Sequence, residues 1–269
     1  MDATQETIGW ETYLTAGSKA LGLSRYDDAE KLFQKALMEA RKELQEGAKP
    51  AQVAAATASS ESTVASSESS SAASESTAAT AVESSEPTAD HALVGDNAQL
   101  AEIGVARISA KMGELYLVQG KFKESEAFLK QALDLFERTH GKESKPVADC
   151  LTEMGAVYRA QGKYSSVEPL LRRALTIYES EDSEQQDPLE VATMLGNLAD
   201  FLRAHGKYNA AEPLFQRALA KRESVLGPDH PSIGPYLHNL ALLYHAEGKY
   251  EQAEPLYTRA VRMFEETWG

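Results

Sequence analysis

The stretch Gly248–Ala260, GKYEQAEPLYTRA, decides the fold because it recurs. Gly206 begins GKYNAAEPLFQRA, Gly162 begins GKYSSVEPLLRRA and Gly120 begins GKFKESEAFLKQA. A fainter copy, SRYDDAEKLFQKA, starts at Ser24. Counted on the aromatic, Phe122 to Tyr164 is 42 residues, Tyr164 to Tyr208 is 44 and Tyr208 to Tyr250 is 42. Tyr26 to Phe122 is 96, one period plus an insertion. Self-similarity at a fixed period marks a repeat architecture, in which each unit packs only on its neighbours.

Each copy reads as two helices. Before the GKY words, Leu151, Met154, Gly155 and Tyr158 recur at the spacing of one helix face, as do Leu237, Leu240, Ala241 and Tyr244. Ser109, Met112, Gly113 and Tyr116 repeat the pattern one copy earlier. After the aromatic, Ala211, Phe215 and Ala218 share a face, and Ala253, Tyr257 and Ala260 match them. Small residues such as Gly155 and Ala174 are expected to let the two helices approach closely. The Gly of each Gly-Lys pair suits the left-handed end of the first helix. Pro169, Pro213 and Pro255 are expected early in the second helix, where the backbone N–H lacks an intrahelical partner and proline costs little.

Leu-Gly-x-x-Tyr, a Gly turn, then Ala-x-x-x-Phe and Ala resembles the tetratricopeptide repeat. The resemblance covers residues of about 8–46 and 100–269 and implies an all-α, right-handed superhelical stack of five helix pairs. The 42-residue period, the link LGPDHP at Leu226–Pro231 and NLA at Asn197 and Asn239 resemble the kinesin light chain subgroup. In that subgroup the equivalent asparagines contact cargo peptides, so the resemblance implies a peptide-binding role for Asn197 and Asn239.

Between the first and second copies the composition changes abruptly. Residues 47–95 are rich in Ser, Ala, Thr and Glu, with no aromatic run and no apolar period. Such a segment cannot bury enough surface to offset its ordering entropy and is expected to be a disordered insertion. The domain plan is therefore a first repeat at 8–46, the insertion at 47–95 and four consecutive repeats at 96–269. Glu179–Asp187 lengthens one link and reads as a solvated acidic turn.

The chain has 269 residues and a formal net charge of −14, which argues against a nucleic-acid or anionic-membrane surface. No apolar run approaches a membrane-spanning length, so no membrane insertion is expected. An acidic start, MDATQETIGWE, without a signal-peptide pattern, and a single cysteine, Cys150, point to a reducing cytoplasm.

A search for chemistry is negative. Gly-Lys at 121, 163, 207 and 249 is not followed by Ser or Thr and joins two helices, so these lysines read as turn residues. His238 and His245 stand seven residues apart, about two turns and roughly 10 Å, too far for one ion. Cys150 reads as a small apolar residue. No cofactor, metal or catalytic residue is expected, and the protein reads as a non-enzyme.

What remains is the face of the first helices that the tetratricopeptide resemblance implies lines a concave groove. Lys111, Glu153, Asn197 and Asn239 occupy one position of successive copies. Asp200 stands three residues beyond Asn197, while Arg159, Arg203 and His245 stand six beyond Glu153, Asn197 and Asn239. Those spacings put each set on one side of its helix. Amides both donate and accept, which suits an extended peptide backbone, and arginine suits its acidic side chains. The expected function is a scaffold holding an extended peptide or partner protein in a concave groove. The alternatives are a kinesin light chain-like cargo adaptor and a self-associating structural repeat protein, a homodimer through Tyr257, Phe264 and Trp268 of the last repeat.

Overall fold

The computed structural model describes residues 9–61, 89–180 and 187–268, with side chains from 9–46, 98–180 and 187–266. Ten α-helices and one short 3-10 turn make up these residues. They are α1 (Trp10–Gly22), α2 (Tyr26–Glu61), α3 (Ala89–Val118), α4 (Phe122–His140) and α5 (Lys145–Ala160). There follow α6 (Tyr164–Glu179), α7 (Pro188–Ala204), α8 (Tyr208–Leu226), the 3-10 turn Pro231–Ile233, α9 (Gly234–Ala246) and α10 (Tyr250–Trp268). The described residues contain no strand, as the repeat pattern requires.

The chain divides into two compact units, Met1–Leu115 and Tyr116–Gly269. In the first, α1 packs on α2. Gly17 makes this possible, because a Cβ there would stand 2.6 Å from the Phe33 ring. Trp10 is buried against Gly104 of α3, with the Arg107 guanidinium 5.9 Å from its ring centroid. In the second unit consecutive helices pack in series from α4 to α10, and α7 also touches α9. The apolar stripes form the core between them. Leu129, Met154 and Val157 build one cluster, and Ile233, Leu237, Ala260 and Met263 another.

Every Gly-Lys turn that leads into an aromatic closes in one way. Gly120, Gly162, Gly206 and Gly248 have φ of 71–75°. The next residue's N–H reaches back five residues, as in Lys163 N to Tyr158 O at 2.8 Å, and Gly162 N bonds Arg159 O at 3.1 Å. This is a Schellman ending, which satisfies the last carbonyls of the first helix. In the faint first copy Ser24 takes the glycine's place at φ 57°. Its successor makes the same bond, Arg25 N to Ala20 O at 2.9 Å.

Two expectations change. The second helices start on the aromatic, so Pro169, Pro213 and Pro255 are the sixth helical residues, past the free N–H groups. Each helix therefore forgoes one intrahelical bond, to the carbonyl of Ser165, Asn209 or Glu251. Gly155 faces Leu171 and Val167, whose side chains lie 3.2 and 3.9 Å from where its Cβ would be, rather than Ala174. Helical backbone runs into the Ser/Ala/Glu-rich segment, to Glu61 in α2 and from Ala89 in α3. The rest of that segment, 62–88, lies outside the described residues, as do 181–186 of the acidic link.

The Gly-Lys lysines do more than turn the chain. Lys163 Nζ meets Glu126 Oε2 at 2.8 Å, Lys207 meets Glu168 at 2.6 Å and Lys249 meets Glu212 at 3.4 Å. Each acid belongs to the second helix of the preceding repeat. Glu126 also accepts from Lys130 at 2.7 Å, Gln161 Nε2 at 3.0 Å and the Tyr158 hydroxyl at 3.3 Å. The ammonium groups of Lys130 and Lys163 hold its carboxyl at a pKa of about 2. A second ladder runs beside the first. Arg173 pairs with Glu137 and Arg259 with Glu223, both at 2.7 Å, and Arg217 pairs with Glu179. Apolar packing and two rows of ion pairs thus lock the third, fourth and fifth repeats each to the one before.

Candidate functional site: an inner-face pocket on α5 and α7

The first helices α5 and α7 present their polar sides next to one another in the second unit. Between them opens a cavity of about 100 Å³ lined by Thr152, Gly155, Ala156 and Arg159 of α5, Val167 and Leu171 of α6, and Asn197, Asp200 and Phe201 of α7. Its floor is apolar: Val167, Leu171 and Phe201 are buried. Its rim is polar. Thr152 is tied down, its hydroxyl donating to Ala148 O at 3.0 Å and lying 3.2 Å from Met194 Sδ.

The space has a local cause. Gly155 contributes no side chain and Ala156 only a methyl, so the α5 wall is cut away above Leu171. At the next junction the corresponding residues are Ala199, Asp200 and Phe215, which are bulkier.

Three of the residues selected from helical spacing line this pocket: Arg159, Asn197 and Asp200. Asp200 accepts from Arg203 Nη2 at 2.7 Å, and Arg159 Nη1 approaches its other oxygen at 3.9 Å. Two guanidiniums thus flank the one carboxylate at the rim. Asn197 is exposed and makes no hydrogen bond to the described residues, so its amide is available to a ligand. Asn239 holds the matching place on α9, half-buried and likewise without a bond.

The other selected residues lie apart from the cavity. Glu153 is half-buried on α5, and its charge helps raise the Cys150 thiol. His245 packs edge-on against Tyr250 at the following turn, with centroids 5.2 Å apart. Lys111 belongs to the first unit, where it pairs with Glu114 at 2.6 Å. Spacing along single helices missed Thr152, Gly155, Ala156, Val167, Leu171 and Phe201, which complete the pocket. The one available signal was the adjacent pair Gly155-Ala156, which no other copy has at that place.

Cys150 is buried, and its pKa is pushed up to about 12 by burial, then by Glu153 and Asp149. A thiol so held is protonated and inert. Among the described residues no group of three or more His, Cys, Asp or Glu could hold a metal ion. No helix among them is long and apolar enough to cross a membrane.

Serial helix pairs closed by Schellman glycines, with a polar inner face on the first helices, define a tetratricopeptide-type repeat array. The sequence profile of the tetratricopeptide repeat matches residues 104–180 and 190–266, more than half of the chain, and the chain belongs to that family. No curated protein matches it in sequence. Among solved structures it is similar to BtubC (BKLC) from P. vanneervenii, at 19% identity and a TM-score of 0.63, over 96% of this chain and 81% of that one. Kinesin light chain TPR-like repeats of Podosopora anserina superpose with a TM-score of 0.58 at 17% identity, over 96% of both chains. The Rap protein complexed with competence and sporulation factor is similar at 15% identity and a TM-score of 0.58, over 97% of this chain and 56% of that one. At these identities the likeness is one of fold.

Proposed function

We propose that this protein is a non-enzymatic interaction scaffold that holds an extended peptide, or an extended segment of a partner protein, along the inner face of α5, α7 and α9. The observation that carries the reading is the unoccupied hydrogen-bonding capacity of Asn197, at the rim of an apolar-floored pocket beside Arg159. An extended backbone leaves its N–H and C=O groups unpaired, and a side-chain amide can serve both. Support of a general kind comes from the Rap protein, whose similar fold is seen in complex with a factor. The test compares proteins captured by the wild-type chain with those captured by Asn197→Ala, Arg159→Glu and a control in the first unit, Lys35→Glu. A partner retained by the control and lost by both site variants is the expected result. Equal capture by all four would overturn the reading.

A second reading, self-association, is favoured by α10. Val261 and Phe264 are 52% and 36% exposed, whereas their counterparts Leu175 and Tyr178 are buried. The side chain of Trp268 lies outside the described residues. If this stripe mediates self-association, Val261→Glu with Phe264→Lys converts a dimer to a monomer in light scattering. A wild-type chain that stays monomeric at about 100 μM would remove this reading.

A further inference from the structure

The pocket on α5 and α7 has a definite size, floor and rim, and these restrict what it can take. Its volume is about 100 Å³. An apolar cavity of about 150 Å³ is the size that admits a benzene ring. The space therefore suits three or four carbons and would hold an indole or a phenol only in part. The floor of Val167, Leu171 and Phe201 offers no buried polar partner, so a polar side chain entering it would lose its hydration without compensation. The walls cannot recede freely, since Leu171 and Phe201 are held in the repeat core.

The rim sets the second requirement. Arg203 holds Asp200 at 2.7 Å, which leaves Arg159, 57% exposed and 3.9 Å from the same carboxylate, as the accessible cation beside the opening. A carboxylate next to an apolar anchor would complete that charge pattern, whereas a basic residue would face two guanidiniums.

Resting on the groove reading, we infer that this pocket selects an extended segment carrying a branched aliphatic residue, valine, isoleucine or leucine, directly beside an aspartate or glutamate. The aliphatic side chain enters over Gly155 and Ala156, the acid meets Arg159, and Asn197 bonds the backbone between them. The next junction offers no equivalent, because Phe215 and Asp200 stand where Leu171 and Ala156 open the first. Within the second unit, the site on α5 and α7 is therefore not repeated at the α7–α9 junction.

The experiment pans a random dodecapeptide display library on the purified full-length chain and titrates the enriched peptides calorimetrically against wild type, Ala156→Leu and Asn197→Ala. Enriched peptides are expected to share an aliphatic residue adjacent to an acid. Changing that aliphatic residue to alanine, or to tryptophan, should weaken binding about ten- to a hundredfold. Ala156→Leu, which fills the cavity, should weaken it similarly while the melt stays cooperative. The peptide substitutions leave the protein untouched, so they decide the matter even if Ala156→Leu folds poorly. Peptides lost on Asn197→Ala but anchored by an aromatic or basic residue would overturn the anchor and leave the groove reading standing. Peptides insensitive to both protein variants, or no enrichment at all, would overturn both.

Discussion

Lys163 shows how one residue type serves two roles in this chain. Its backbone N–H closes the Schellman turn behind Gly162, and its ammonium bridges to Glu126 of the previous repeat. The side chain is 49% exposed, so water screens much of the attraction, and Lys163→Met is expected to cost only about 1 kcal/mol. Glu126 is different: it is 16% exposed and receives four donors. Its pKa is depressed in the fold, so it stabilises the protein fully above the unfolded value of about 4.3. That contribution disappears as the pH falls from there toward the folded value of about 2. Melting temperature against pH should therefore fall less steeply between those limits in Glu126→Gln than in wild type; parallel curves would show that the carboxylate is not held as described. Ser24 gives an independent check. It adopts φ 57° where the other copies use glycine, so Ser24→Gly should stabilise the first unit by about 1 kcal/mol in a denaturant melt. An unchanged or lowered midpoint would mean that the serine side chain repays its backbone strain.

Among the elements, the helix pairs were the most legible from sequence, because four nearly identical words carry turn, aromatic and alanine positions at one period. The regularity also led the proline reading astray. The EPL words look like helix starts, yet α6, α8 and α10 begin five residues earlier, on the aromatic that follows Lys, and the prolines fall in the second turn. Helix periodicity places a residue on a face but does not say where the backbone bonds begin. The ladders were hidden for a related reason. Lys163 and Glu126 are 37 residues apart, and their meeting depends on how one repeat is offset against the next, which no spacing within a single helix contains. The same limit explains the site. Arg159, Asn197, Asp200 and Arg203 were recognisable as one face of α5 and α7. The pocket itself was not, since its floor comes from α6 and its opening from the absence of side chain at Gly155.

For the whole molecule, the central claim is that the inner face of the second unit binds a partner and does not merely hold the repeats together. The two roles predict opposite consequences for the same substitutions. Asn197 and Asn239 make no hydrogen bond among the described residues, so removing their amides should leave stability nearly unchanged. Lost contacts to a ligand, by contrast, should cost roughly 1–3 kcal/mol of binding. The most direct measurement is a calorimetric titration of a captured partner into wild type and the Asn197→Ala/Asn239→Ala double variant, with a thermal melt of each. The account predicts weakening by about one to two orders of magnitude at an unchanged melting temperature. Undiminished binding by a double variant that melts several degrees lower would contradict it.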